Sequence, residues 1–314
     1  MKPDVSVILP NFNGEKYLYD SIESILDQSF KNFEFIIIDD GSTDASKDII
    51  NNFSKLDNRI QTYFLKKIGY TNALNFALSK SYSNLIARMD SDDISLNTRL
   101  EKQINFMSLN KNSNVAVCGS GIRAIDSNNK FLYNRILPEK SFKIKRLLPH
   151  QNVIVHPSVM MRKNIIMSVG GYNPKFEPAE DYDLWLRLLY NKNDFYNLRD
   201  PLISYRYHDK SVTSSRLKEQ FFKSSYAKKN FLTNYNFMDR LVVNEKNFII
   251  QNKKLNNDFF NDNNTIFYNY FLILMKQTKI SIFSVVFFKI LLKCLIYDFS
   301  STIRLIFIKL KLKF

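Results

Sequence analysis

The chain has 314 residues, of which 45% are hydrophobic and 14% aromatic, so it can bury a large core and is neither disordered nor collagen-like. Its two cysteines, Cys118 and Cys294, lie far apart and form no disulfide framework, which favours a reducing cytosol. The net charge of +15 is concentrated near the C-terminus: residues 201–314 hold 19 basic and seven acidic side chains, whereas residues 1–100 hold 11 and 14. This distribution argues against a uniformly basic nucleic-acid binder and favours an anionic surface that meets only the C-terminal region.

The N-terminal part of the chain alternates between strand-like and helix-like patterns. Residues 5–9 and 35–38 are short apolar runs rich in β-branched side chains, which predicts strands buried on both faces of a parallel sheet. Between them, apolar residues recur at helical spacing over residues 17–26, and Asn13 is placed to cap that helix. Because the first apolar run is only strand-length and follows no basic cluster, we expect no signal peptide.

The same alternation continues to about residue 90. Asp44 is placed to cap a second helix, residues 60–65 predict a strand, residues 73–78 a helix and residues 85–89 another strand. Strands that alternate with helices in this way predict a doubly wound α/β fold, with a mostly parallel sheet flanked by helices.

The remainder of the chain divides into two parts. Residues 115–207 mix strand-like and helix-like runs irregularly, including a strand near residues 158–161, and we interpret them as the second half of the same domain. Past residue 214 the composition shifts to Asn, Lys and Phe with helical periodicity. We therefore predict an α/β domain over residues 1–213 and a helical, basic region over residues 214–314.

Polar clusters follow three of the predicted strands, at residues 10–15, 39–44 and 90–93. Because ligands bind at the carboxyl ends of the strands in such sheets, we expect the three clusters to share one edge. The last cluster places three carboxylates, those of Asp90, Asp92 and Asp93, within four residues, and a divalent cation would relieve their mutual repulsion. Taken alone, an acidic loop is more often a solvated turn or a helix cap.

Two further acidic pairs allow a functional and a structural interpretation. Asp40 ends a predicted strand and offers a carboxylate to a base or a ribose, whereas the Asp-Gly-Ser sequence that it begins is equally typical of a turn. Glu180 and Asp181 begin a helix, where an ionised carboxylate is favoured and can act as a base, or where both residues simply cap the helix. The residues alone leave these alternatives open.

Several short motifs also occur together in a characteristic order: VSVILPNFNGEKYL, SILDQSF, FEFIIIDDGSTD, ALNFAL, IARMDSDDIS, HPSVMMRK, GGY, EDYDLWLRL and YRYH. Through these motifs, which extend over roughly residues 3–210, the chain resembles a family 2 glycosyltransferase of the GT-A fold, of the bacterial surface-polysaccharide type. The resemblance implies a Rossmann-like sheet that binds a nucleotide-diphosphate sugar.

The resemblance also assigns residues to the nucleotide. It implies that Asp40 binds the base and that Pro10, Phe12 and Glu15 flank the nucleoside. Phe12 stands where the family usually has tyrosine, so its ring can stack on a base but offers no hydroxyl group.

The remaining assignments concern the reacting groups. The family's DXD element corresponds to Asp90 and Asp92, implied ligands of Mg²⁺ or Mn²⁺, with Asp93 near the donor sugar and His208 near the diphosphate or the metal. Asp181 corresponds to the general base, which takes the proton of the acceptor hydroxyl as that oxygen attacks the anomeric carbon opposite the leaving diphosphate. Such a single displacement inverts the anomeric configuration.

The family's habits further imply an acceptor and a cellular role. We expect transfer of a hexose or N-acetylhexosamine, with UDP as the expected nucleotide, to a lipid-linked oligosaccharide in O-antigen, capsule or exopolysaccharide assembly. The alternatives are a catalytically degenerate nucleotide-sugar-binding module and a transferase that acts on a protein or another non-polyprenyl acceptor. A sugar-nucleotide pyrophosphorylase needs a glycine-rich loop after its first strand, which residues 10–14 lack, and the acidic first hundred residues exclude a nucleic-acid partner.

The last part of the basic region combines basic residues with large apolar ones. Residues 276–314 hold eight basic residues and one acid, Asp298, among Ile, Leu, Val and Phe, and no stretch reaches 18 uncharged apolar residues. We therefore expect amphipathic helices on an anionic membrane surface, with the protein cytoplasmic and peripheral on the inner face of the cell membrane. Alternatively, residues 271–275 and 283–292 pack on the α/β domain and leave the lysines in water.

Overall fold

The computed structural model of the protein describes residues 2–209, 211 and 215–234. Nine strands within these residues form one mixed sheet. They are β1 (Val5–Asn11), β2 (Phe33–Asp39), β3 (Ile60–Phe64), β4 (Leu85–Arg88), β5 (Ile94–Ser95), β6 (Val115–Ile125), β7 (Phe131–Arg135), β8 (Met160–Arg162) and β9 (Asp194–Arg206).

Helices alternate with these strands along the chain. Those described are α1 (Glu15–Leu26), α2 (Ser46–Leu56), α3 (Tyr70–Lys80), α4 (Arg99–Met107), α5 (Ser141–Leu147), α6 (Lys163–Ser168), α7 (Glu180–Tyr190) and α8 (Leu217–Asn234). Single turns of 3₁₀ helix occur at Asn110–Asn112, His156–Ser158 and Pro174–Phe176.

The sheet has a parallel half and a mixed half. Its order is β3-β2-β1-β4-β8-β6-β9-β5, and β7 pairs with β6 outside this path. β3, β2, β1 and β4 are parallel, as βαβ units require, whereas β8 runs antiparallel to both of its neighbours, β4 and β6. The structure thus confirms the predicted α/β sheet and shows that the irregular sequence after residue 115 builds its mixed half.

Both faces of the parallel half are covered, as the continuous apolar run of β2 predicts. Phe35 and Ile37 enter a core with α1, α2 and α4, whereas Ile36 and Ile38 enter a second core with α3 and α7. Successive side chains of a strand point to opposite faces, so this division places helices on each side of the sheet. Each such buried side chain contributes roughly 1.5–3 kcal/mol to folding.

The starts of α1 and α2 differ in part from the sequence prediction. Asn13 does not cap α1, because the cap position is Gly14 and the Asn13 Oδ1 instead accepts a 2.8 Å bond from the backbone of Thr43. Asp44 accepts bonds of 3.0 Å from one backbone amide at the start of each helix. One side chain therefore serves both helices, which fixes the loop after β1 against the loop after β2.

The described part of the basic region is α8, which packs against α7. The rings of Tyr226 and Phe176 stack with centroids 5.6 Å apart, and Ala227 and Phe231 are buried in the same core as α7. The amphipathic helices predicted over residues 276–314 lie outside the described residues, and the division after residue 213 stays a prediction. Among the described residues, no helix has the length and apolar character needed to cross a bilayer.

Candidate active site

The polar clusters that follow β1, β2 and β4 lie together at one edge of the sheet. Asn11, at the end of β1, donates a 2.9 Å bond from Nδ2 to Asp39 Oδ1 at the end of β2. The loop after β4 is held against α1, because Ser21 Oγ donates a 2.6 Å bond to the carbonyl of Asp93. The ends of β1 and β2 are therefore bonded to each other, and the loop after β4 is bonded to the helix that follows β1.

Three carboxylates crowd this loop. One oxygen from each of Asp90, Asp92 and Asp93 lies within 4.8 Å of the others. Asp93 is only 1% exposed; its Oδ1 accepts a 2.8 Å bond from the Arg206 amide, and its Oδ2 is buried without a hydrogen-bond partner. Burial raises the pKa of Asp93 well above its usual value, and the negative charges of Asp92 and Asp90 raise it further.

This cluster fits a divalent cation. Its donors are hard carboxylate oxygens, which suit Mg²⁺ or Mn²⁺. A buried carboxylate oxygen without a partner is costly, and a cation bound beside Asp93 Oδ2 would supply the missing interaction. The residues present therefore agree with the ion that the resemblance implies.

Arg88 is a member of this site that sequence reasoning missed. Its buried guanidinium makes two hydrogen bonds to Asp90, one of them 2.5 Å from Nη1 to Oδ2, and Tyr70 donates a 3.1 Å bond to the same carboxylate. Burial nevertheless outweighs this pairing and raises the pKa of Asp90 to about 6. A charged residue at the end of an otherwise apolar strand, two positions before a carboxylate, was the available signal.

Strand β9 closes the other side of the cluster. Arg206 donates from Nε to the carbonyl of Asp92 at 2.7 Å, and its guanidinium lies 4.3 Å from the centroid of the Tyr17 ring. His208 Nε2 lies 2.8 Å from Asp92 Oδ2, and its ring packs on Tyr17 at 5.0 Å. The structure thus brings His208 to the carboxylate that the resemblance assigns to the metal.

Asp181 lies in the first turn of α7, partly buried. Its Oδ2 accepts a 2.8 Å bond from Asn152 Nδ2, and its Oδ1 accepts a 2.6 Å bond from the amide of Tyr182. Burial raises the pKa of Asp181 to about 6 against the opposing effect of these two bonds, and the charge of Asp90 adds to the rise. The negative charge of Asp90 therefore affects the pKa of Asp181.

Glu180 differs from its neighbour in exposure and in hydrogen bonding. It is 5% exposed, and its Oε2 has no hydrogen-bond partner. Burial, followed by the charge of Asp181, raises the pKa of Glu180 to about 8. Burial therefore disfavours the charged form of Glu180, a property that the sequence alone did not reveal.

The predicted nucleoside residues fall into two groups. Phe12 is 43% exposed, with Lys67 Nζ 3.7 Å from its ring centroid, whereas Pro10 lies buried in β1 opposite Ile38. Asp40 uses both oxygens on the loop before α3, accepting from the amides of residues 68 and 69 at 2.6 and 3.0 Å. A carboxylate oxygen has capacity for a second bond, so these contacts position Asp40 and leave it able to accept from a base.

Glu15 has a structural contact that the resemblance does not imply. Its Oε2 accepts a 2.9 Å bond from the amide of Ala45, while its own amide donates to Asp44. These two bonds join the starts of α1 and α2 reciprocally. In this structure Glu15 thus supports the loops that carry the nucleoside residues, and a direct contact with a nucleoside stays a prediction.

Comparison with known proteins identifies the family and the fold of the chain. The family model described as Glycosyl transferase family 2 matches residues 6–170. The chain is 39% identical over 232 residues to the O-antigen biosynthesis glycosyltransferase WbnJ of Escherichia coli, which covers 73% of this chain and 89% of WbnJ. It is also 35% identical over 250 residues to the uncharacterized glycosyltransferase MJ1057 of Methanocaldococcus jannaschii, covering 75% and 84% of the two chains.

Two solved structures share the fold. S. aureus TarS 1–349 in complex with UDP-GlcNAc superposes with a TM-score of 0.56 at 21% identity, covering 67% of this chain and 60% of TarS 1–349. The mannosyltransferase PcManGT from Pyrobaculum calidifontis, in complex with GDP-Man and Mn²⁺, gives 0.53 at 14% identity, covering 72% and 65%. The fold is thus that of the GT-A glycosyltransferases.

Proposed function

The chain belongs to glycosyl transferase family 2, and from this membership we propose that it is a metal-dependent, inverting transferase of surface-polysaccharide assembly. It moves a hexose or N-acetylhexosamine from a nucleotide-diphosphate sugar to a hydroxyl group of a lipid-linked oligosaccharide. The relationship to WbnJ, named for O-antigen biosynthesis, supports the polysaccharide role. The UDP-GlcNAc complex of TarS supports UDP as the nucleotide.

One observation carries the proposal: the carboxylate cluster lies near a separate carboxylate, that of Asp181, whose pKa is raised by burial and also by the charge of Asp90. The cluster of Asp90, Asp92 and Asp93 suits a cation bound to a diphosphate, and the Asp181 carboxylate lies outside that cluster. A metal-assisted departure of a diphosphate and the activation of a hydroxyl group need these two sites side by side. A degenerate binding module has no need of the second.

The donor is held by residues on the first half of the sheet. Asp90, Asp92 and Asp93 would hold Mg²⁺ or Mn²⁺, which stabilises the negative charge that develops on the leaving diphosphate. His208 orients Asp92, and the exposed face of Phe12 stacks on the base beside Asp40. Lys67, over the Phe12 ring, adds a positive charge close to the nucleotide.

The acceptor is activated from the other side. Asp181 accepts the proton of the attacking hydroxyl group, and Asn152 fixes the orientation of its carboxylate. Burial and the charge of Asp181 raise the pKa of Glu180, which favours its neutral form and limits the negative charge that would oppose an incoming nucleoside diphosphate sugar. The oxygen attacks the anomeric carbon opposite the leaving group, so an α-linked donor gives a β-linked product.

The same proposal extends to cellular location. The α/β domain, residues 1–213, carries the chemistry, and the basic residues of the region 214–314 attract an anionic membrane surface on the cytoplasmic side. This location lets the enzyme reach an acceptor whose lipid lies in the bilayer. A protein or other non-polyprenyl acceptor is the alternative, and it would leave transfer unaffected by membranes.

Calorimetric titration of the full chain with UDP, GDP and dTDP, each with Mn²⁺ and with EDTA, tests the donor site. We expect one nucleotide to bind tightly with Mn²⁺ and at least about tenfold more weakly with EDTA. Binding of none of the three under either condition would contradict the proposal and favour a degenerate module.

The pKa of Asp181 predicts a pH dependence of transfer. Only the ionised carboxylate can accept a proton, so kcat/KM should fall as the pH is lowered through about 6 and approach a tenfold loss per pH unit below it. Saturating Mn²⁺ keeps Asp90 ionised and isolates the effect of Asp181. A kcat/KM that stays constant from about pH 7 to about pH 5 would exclude Asp181 as the base.

A further inference from the structure

Exposed apolar residues concentrate in one segment next to the site. All five residues of β7 are exposed, including Phe131, Leu132 and Tyr133, and Ile136 follows at 62% exposure. α5 begins six residues after β7 and exposes Phe142. Single exposed apolar side chains are ordinary, but several in sequence on an edge strand are typical of an interaction surface.

The same segment is strongly basic. Residues 123–146, here named the basic hairpin segment, contain seven basic and two acidic residues. Both acids are engaged: Asp126 accepts from the backbone of the hairpin turn, and Glu139 accepts from the Tyr196 hydroxyl group. Arg123, Lys130 and Arg135 form no ion pair with any residue that the structure describes, so their charges are available to an anionic partner.

The basic hairpin segment is joined directly to the carboxylate cluster. Tyr133 and Tyr207 share a 2.9 Å hydrogen bond between their hydroxyl groups, one residue before His208. Arg206, whose amide donates to Asp93, also donates from Nη1 to Asn129 in the hairpin turn. A surface bound by the hairpin would therefore lie beside the metal-binding carboxylates.

We propose that the basic hairpin segment binds an anionic bilayer and holds the carboxylate cluster at the headgroup level, where it meets the lipid-linked acceptor. Apolar side chains on both faces of the edge strand β7, flanked by Arg123, Lys130 and Arg135, match the acyl boundary and the phosphate layer of such a membrane. A second copy of the chain is a poor occupant, because it would bring the same positive charges together. This inference rests on the proposed function in one respect, that the acceptor is lipid-linked.

A fluorescent probe at the hairpin tests the contact. In the full chain carrying Cys294→Ser, with Cys118 fully buried, an NBD group is attached through Leu132→Cys and the protein is mixed with vesicles of phosphatidylcholine containing about 30% phosphatidylglycerol. We expect a blue shift and quenching by spin-labelled lipids. Pure phosphatidylcholine vesicles should give a much smaller shift.

The matched control carries the probe at Leu56→Cys. Leu56 is also an exposed leucine, but it ends α2 beside β2 and β3, at the opposite end of the sheet. We expect this probe to remain in a water-like environment on the same vesicles. An unshifted probe at position 132 on vesicle-bound protein, or an equal shift at both positions, would overturn the proposal.

A double variant, Phe131→Ser with Leu132→Ser, supplies an independent measurement and leaves the Tyr133–Tyr207 bond in place. We expect its partition onto the anionic vesicles to fall about tenfold while calorimetric binding of the nucleotide with Mn²⁺ stays unchanged. Unchanged partition would count against the hairpin even if the nucleotide binds. Loss of nucleotide binding in the unaltered chain would instead count against the proposed function, so the two failures are distinguishable.

Discussion

Replacing Asp181 with asparagine is expected to lower the rate of sugar transfer by about 10³-fold, because an amide cannot accept the proton of the acceptor hydroxyl group. The two side chains have nearly the same shape, and the introduced amide oxygen can still accept from Asn152. Asp181 is outside the carboxylate cluster that suits the cation, so binding of the nucleotide should change little. Single-turnover transfer and calorimetric nucleotide binding, measured on the same preparation, give the two quantities.

Asp183→Asn provides the matched control on the same helix. The Asp183 carboxylate is paired with Arg187 at 2.7 Å, four residues along α7, and not with Asn152. Its replacement removes one negative charge from the same helical turn, and we expect transfer to stay within about twofold of the unaltered chain. If both variants lost activity equally, the effect would belong to the folding of α7, and if Asp181→Asn retained full turnover, another group would be the base.

Replacing Asp92 with asparagine is expected to weaken nucleotide binding in the presence of Mn²⁺ by about 100-fold, or roughly 2.7 kcal/mol. Asp92 contributes an oxygen to the carboxylate cluster and is oriented by His208, and an amide oxygen is a weaker ligand for a hard cation. Calorimetry with and without EDTA measures this change. In EDTA the variant and the unaltered chain should bind the nucleotide with equal affinity.

Asp200→Asn is the control for charge alone. Asp200 lies on β9, is exposed, and is paired with Lys102 at 2.6 Å, away from the cluster. Asp200→Asn also removes one negative charge. A similar loss of nucleotide affinity in both variants would mean that overall charge, and not ligation of the cation, controls nucleotide binding. Full Mn²⁺-dependent affinity after Asp92→Asn would show that the metal is held elsewhere.

The parallel half of the sheet was predictable because burial on both faces leaves a plain sequence signal. The runs at residues 5–9 and 35–38 consist mainly of β-branched and other apolar residues, and both lie in interior strands of the sheet. β7 left no comparable signal, since all five of its residues are exposed and it pairs on one side only. β8 has three residues, and only its position between β4 and β6 makes it a strand.

The sequence predicts which residues form the site, but it does not predict the partners that set their charges. The motifs supplied Asp90, Asp92 and Asp181, but the partners that set their protonation come from distant parts of the chain. Arg206 binds Asp93 across 113 positions, and Asn152 binds Asp181 across 29. A pKa depends on burial and on such neighbours, so it becomes accessible only once the fold has brought them together.

Arg88 has a consequence for how the protein behaves between catalytic cycles. Its guanidinium pairs with Asp90 from within the sheet, and Arg206 donates to the backbone carbonyl of Asp92 and to the carboxylate of Asp93. Arg88 and Arg206 therefore hold the acidic loop in place through protein contacts, whereas a structural zinc site unfolds when the ion is removed. Under the proposed mechanism, a cation would therefore be able to enter with the sugar nucleotide and leave with the diphosphate while the acidic loop stays folded.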